Sequence, residues 1–86
     1  MTIERVFSVY DSKMQMYLPL FFVRAPGAAV RSFSEAANQA DHPFCKNPED
    51  FILFQIGEFC QDTGVITALP AKISLGMAND FKQQAK

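Results

Sequence analysis

The chain has 86 residues, 49% of them hydrophobic and 13% aromatic, with nine Phe and no Trp. That length sets one small domain over residues 1–86, and that apolar content excludes a disordered chain. Formal net charge is −1, so global charge gives no argument for nucleic-acid binding.

Thr2–Tyr10 is rich in β-branched and aromatic residues and reads as a first strand. Ile3, Arg5, Phe7 and Val9 share one face; Glu4, Val6, Ser8 and Tyr10 share the other. Asp11-Ser12-Lys13 is a turn signal. Residues 15–23 read as a second strand, antiparallel to the first. Pro19 requires an edge position or a bulge there, because proline cannot donate to the ladder.

The period then changes. Over Ala25–Ala40, Val30, Phe33 and Ala37 fall on one helical stripe, flanked by Ala29, Ala36 and Ala40. Pro26 suits the first turn of this helix. The stripe is expected to lie on the sheet. Asn38 to Pro48 reads as a loop, and His42 as an ordinary loop or capping residue.

Asp50–Cys60 holds the most apolar strand. Both of its faces are apolar over Phe51–Phe54, so it reads as a central strand buried on two sides. Gly57 marks a bulge or a close backbone approach. Gln61-Asp62-Thr63-Gly64 fits a hairpin turn with Gly64 in the left-handed region, leading into a strand over 65–69. Pro70 is expected to break the pattern. Leu75, Ala78 and Phe81, with Ser74 as a cap, suggest a short terminal helix.

The pattern predicts an α+β fold: a four-stranded antiparallel sheet ordered β-β-α-β-β, with one helix packed on a face and a short C-terminal helix. The edge strand with Pro19, and leftover apolar surface at Phe21 and Phe22, make a homodimer the expected assembly.

Little in the chain points to catalysis. No Gly-rich phosphate cradle follows a strand, and no Ser or Cys has a His partner other than His42 near Cys45 in sequence. Cys45 and Cys60 have no metal-ligand spacing, so neither a metal nor another cofactor is expected, and the protein reads as a non-enzyme. No secretory signal and no membrane-length apolar run is present, so two thiols in a reducing cytosol are the expectation, with a disulfide as the alternative that the sequence does not support.

Charge is unevenly distributed. Residues 1–31 carry four basic against two acidic groups, residues 32–70 one against six, and residues 71–86 three against one. The basic ends suggest a binding surface. Arg5, Lys13, Arg24 and Arg31, with Tyr10 and Tyr17, form the candidate nucleic-acid-binding set. Cations contact phosphates and aromatic rings stack on unpaired bases. Two half-buried tyrosines beside ordinary surface arginines are the plainer reading. Composition alone favours it, because an acidic domain opposes a polyanion.

Several segments carry a resemblance. They are Val9–Asp11, Pro19–Phe22, Val30–Phe33, His42–Phe44, Pro48–Phe54, Ile56–Phe59 and Thr63-Gly64. Together they resemble the small nonstructural protein family of the gokushoviruses, single-stranded-DNA phages of the Microviridae, over almost the whole length. That family more often has Tyr where Phe54 stands and an acidic residue where Cys60 stands. The resemblance implies a nonstructural phage protein of the host cell cytoplasm. It would bind DNA and control the switch from double-stranded replication to single-stranded genome synthesis. It assigns no contact residues. The alternative is a non-enzymatic adaptor, docking through the acidic middle (Glu49, Asp50, Glu58) onto a viral or host replication or assembly protein.

Overall fold

The computed structural model describes residues 2–82. The elements are β1 (Ile3–Asp11), β2 (Met16–Tyr17), β3 (Phe21–Val23), α1 (Pro26–Ala37), α2 (Pro43–Lys46), β4 (Phe51–Cys60), β5 (Ile66–Met77) and α3 (Ala78–Phe81). They form one antiparallel sheet. β2 and β3 both pair with one side of β1, β4 pairs with the other side, and β5 lies beyond β4. The α+β class stands, with five strands where four are expected.

The fifth strand comes from Pro19. The single strand expected over 15–23 is split into β2 and β3 around Leu18-Pro19-Leu20. The chain still hugs β1 there: the Leu18 N–H donates to the Val9 carbonyl at 2.8 Å, and Ser8 Oγ donates to the Leu18 carbonyl at 2.6 Å. Only the regular ladder is lost, because proline has no N–H to offer it.

α1 forms where its stripe predicts, with Ala29, Phe33 and Ala37 buried. The two alanines let the helix approach Phe7, Val9, Phe51 and Leu53 closely, and these residues make one core. Fully burying a Phe or Leu of this kind contributes about 1.5–3 kcal/mol. α2 and α3 pack on the same side. Phe33 meets Phe44 at 5.2 Å and Phe81 at 5.9 Å, and Phe44 meets Phe51 at 4.6 Å. His42 caps α2, its Nδ1 accepting from the Phe44 N–H at 3.1 Å.

β4 is the central strand expected, but it is not buried on two sides. Phe51 and Leu53 face the helices and are buried, while Ile52 and Phe54 face the other way and are half-buried. All three helices cover one face of the sheet, and no described element covers the other.

Gly64 has φ 76°, as the hairpin turn requires, and its N–H donates to the Cys60 carbonyl at 2.8 Å. β5 then runs through Pro70 instead of ending there. Its pairing with β4 jumps from Ala68 to Ile73, so residues 69–72 leave the ladder. On that outward bulge of an edge strand, Pro70 owes no hydrogen bond. Gly57 lies opposite the bulge, and a Cβ there would sit 2.7 Å from the Thr67 carbonyl oxygen. The terminal helix is shorter than predicted. Ser74 lies in β5 rather than at a cap, and Met77 starts α3 with its N–H donating to Asp80 Oδ2 at 2.9 Å. The long β4–β5 hairpin stretches the molecule to 47 × 25 × 19 Å. Its radius of gyration is 13.6 Å, against about 12 Å for a compact chain of this length.

Candidate nucleic-acid interface

The uncovered face of the sheet is aromatic. Strand alternation puts Val6, Ser8 and Tyr10 on it from β1. Their cross-strand partners share that face: Tyr17 opposite Tyr10, Phe22 opposite Val6, Phe54 opposite Ser8 and Ile52 opposite Tyr10.

The rings form two arches over β1. In the first, Tyr17 from β2 and Phe54 from β4 meet edge to face at 6.0 Å, and Tyr10 joins Tyr17 at 4.8 Å. Ser8 lies on β1 between these flanking strands and has no exposed surface. In the second, Phe22 from β3 and Phe59 from β4 meet edge to face at 5.7 Å. Val6 lies between them and is 1% exposed. Small side chains on the middle strand therefore let larger rings from both sides close above it. The outer surfaces of the rings stay open: Tyr17 is 42% and Phe22 38% exposed.

Charge is graded along this face. The β5 bulge carries Lys72, whose Nζ stands 5.8 Å from the centre of the Tyr17 ring. A cation over a tyrosine face is attracted by the ring quadrupole. Lys13 belongs to the exposed turn joining β1 to β2, at the same end. Glu4 lies at the other end, opposite Phe59.

The structure brings together only part of the residue set expected from sequence. Tyr10 and Tyr17 are in contact, and Lys13 is close to them along the chain. Arg5 lies on the same side of β1 as Phe7 and Val9, the side opposite to Tyr10, and its Nη1 donates to the Arg24 carbonyl at 2.7 Å. Arg24 follows β3. Arg31 sits on α1, its Nε 3.8 Å from Glu35 Oε2 across one exposed helical turn. Arg5 and Arg31 therefore do not line the tyrosine face.

Phe54 and Lys72 do, and sequence reasoning missed both. Phe54 was legible by counting alternate residues across the pairing with β1. Lys72 was not, because its reach depends on the bulge beside Pro70. The apolar surface expected at Phe21 and Phe22 divides: Phe21 stacks on Phe7 in the helix-side core at 5.6 Å, and Phe22 faces outward. Of the acidic residues, Glu49 and Asp50 enter β4 and Glu58 lies near its far end, about 26 Å away on an extended chain, so they make no single patch.

A cleft of about 320 Å³ opens on the helix side between Phe21, Phe33, Phe44 and His42. Cys45 in α2 and Cys60 at the end of β4 are both free thiols. Thr63 hydrogen bonds, from its side chain first and its backbone second, hold the Cys60 thiol below its usual pKa. Among the described residues no group of three or more His, Cys, Asp or Glu is placed to hold a metal ion, and no helix is long and apolar enough to cross a membrane.

The family model described as Phage ORF5 protein matches residues 4–81. No curated protein and no solved structure matches the chain.

Proposed function

The chain belongs to the Phage ORF5 protein family, and from that premise we propose that this phage protein binds single-stranded DNA on the open face of its sheet. The observation that carries the reading is the first aromatic arch, Tyr10–Tyr17–Phe54, left uncovered with Lys72 above it. Unpaired bases stack on such rings, and lysines beside them contact phosphates without reading sequence. A ring without a hydroxyl at position 54 suits this role, because stacking uses the ring alone. The charge objection weakens too: Lys72 stands over Tyr17 and Lys13 lies in the adjoining turn, while Glu49, Asp50 and Glu58 are spread from the entry to the far end of β4. The gokushovirus resemblance supplies the setting, control of the switch from double-stranded replication to single-stranded genome synthesis.

The test is fluorescence anisotropy of a labelled oligothymidine against a duplex of equal length, at two salt concentrations. The expected result is single-strand preference with affinity falling as salt rises. Tyr17→Ala is expected to weaken binding by about 1–3 kcal/mol, and Tyr17→Phe to keep it. Equal binding to the duplex, or an unchanged Tyr17→Ala, would sink the reading.

A further inference from the structure

We propose that the second arch, Phe22–Phe59, is a second stacking step for the same DNA strand, and that it binds bases without binding phosphate. This inference rests on the reading of the first arch as a single-strand site. Three observations carry it. Both arches stand on one face of the sheet and have the same construction, one ring from either side of β1 closed over a small residue. Phe22 pairs with Val6 and Tyr17 with Tyr10, so the arches are four residues apart on β1, about 13 Å along one line. Their electrostatic surroundings differ. Lys72 and the Lys13 turn serve the first arch, whereas Glu4 is the charged neighbour of Phe59 on β1.

A polyanion following β1 across this face starts between Lys72 and the Lys13 turn and ends beside Glu4. The strand is anchored by phosphate contacts at Tyr17. It continues along β1 and lays a further base on Phe22, with its backbone held away from Glu4. The two arches therefore make contributions of different kinds. Losing a lysine at the first arch changes how binding depends on salt, because each phosphate contact releases counterions. Losing a ring at the second arch weakens binding equally at every salt concentration.

The experiment compares Phe22→Leu, Lys72→Ala and Tyr17→Ala, singly and combined, on a labelled oligothymidine of about 12 nucleotides, within the range of small single-strand sites. Phe22→Leu keeps an apolar side chain and removes the ring, and a thermal melt checks its fold. Phe22→Tyr restores a ring. The expected result is at least about a fivefold loss for Phe22→Leu with unchanged salt slope, and none for Phe22→Tyr. Lys72→Ala is expected to lower the slope by about one. Phe22→Leu and Tyr17→Ala, being more than about 10 Å apart, are expected to multiply.

Full affinity in Phe22→Leu with a loss in Tyr17→Ala would overturn the second step and leave the first arch standing. No loss in either would remove the reading of the whole face. Light scattering on the same samples separates one further outcome. A dimer that dissociates on Phe22→Leu while oligonucleotide affinity holds would make the second arch a contact between copies and overturn the proposal.

Discussion

The two faces of the sheet are both aromatic and are used in opposite ways. On the helix side, Phe7, Phe21, Phe33, Phe44, Phe51 and Phe81 close around the alanines of α1 and exclude water. On the open side, rings from β2, β3 and β4 roof over Ser8 and Val6 and then face solvent. An antiparallel sheet with one wet face normally carries polar residues there. Here that face keeps rings that the core does not need. Aromatic content alone does not separate a core from a platform; coverage does, and coverage is a property of the tertiary fold.

The sharpest test of that contrast uses two adjacent residues. Leu53 is fully buried under the helices, and Phe54 is half-buried on the open side. Leu53→Ala removes core contacts and leaves a cavity, at a cost of about 2–5 kcal/mol. For a domain of this size each kcal/mol lowers Tm by about 4–8 °C, so a thermal melt will register the change at once. Phe54→Ala is expected to cost about 1 kcal/mol, because much of its ring already meets water and the loss is one aromatic contact with a little burial. The oligonucleotide titration is expected to rank them the other way among folded samples, with Phe54→Ala the weaker binder. Equal losses of stability would mean that the open face is core after all.

Gly57 tests the junction of the two regions. Its missing Cβ lets the Thr67 carbonyl approach to a position 2.7 Å from where that atom would be. The clash would be with backbone, which cannot swing aside as a side-chain tip can. Gly57→Ala is therefore expected to cost about 1–3 kcal/mol in a urea titration and to displace the bulge that carries Lys72. A neutral result would show that the bulge adjusts freely and that Lys72 is not held over Tyr17.

Much of the fold was legible because local rules and the global packing agree. The α1 stripe, the Gly64 turn, the Gly57 close approach and the His42 cap each depend on a few neighbouring residues. Other features turned on partners distant in sequence. Pro70 reads as a stop, yet at a sheet edge its missing N–H costs nothing, so β5 continues. Ile52 and Phe54 read as buried because apolar residues alternate on both sides of β4. The described helices, however, cover one side only. The candidate site was legible in half. Tyr10 and Tyr17 follow from strand alternation, whereas Arg5 fell on the wrong parity for their face, and Lys72 depended on a bulge whose size no local signal sets.

A smaller effect probes the first arch from beneath. Ser8 is buried below Tyr17 and Phe54, and its Oγ donates to the Leu18 carbonyl at the break between β2 and β3. Ser8→Ala deletes that donor at the point where Pro19 interrupts the ladder. The expected cost is about 1 kcal/mol, read as a shift in urea midpoint with unchanged slope. A larger loss would mean that this one hydrogen bond holds β2, and with it Tyr17, against β1.

The smallest effect is expected where charge and structure are least coupled. The Arg31–Glu35 pair spans one turn of α1, with the two side chains 83% and 70% exposed. Water screens such a pair, and holding two long side chains in register costs entropy. Arg31→Ala is expected to change stability by no more than about 0.5 kcal/mol. The residue lies on α1, with the sheet between it and the open face, so its effect on oligonucleotide affinity is expected to be equally slight. That second measurement matters more than the first. A loss of binding in Arg31→Ala comparable to that in Lys72→Ala would move the phosphate path to the helix side. There the Arg5 guanidinium donates to the Arg24 carbonyl, and the aromatic arches would then be surface without a ligand.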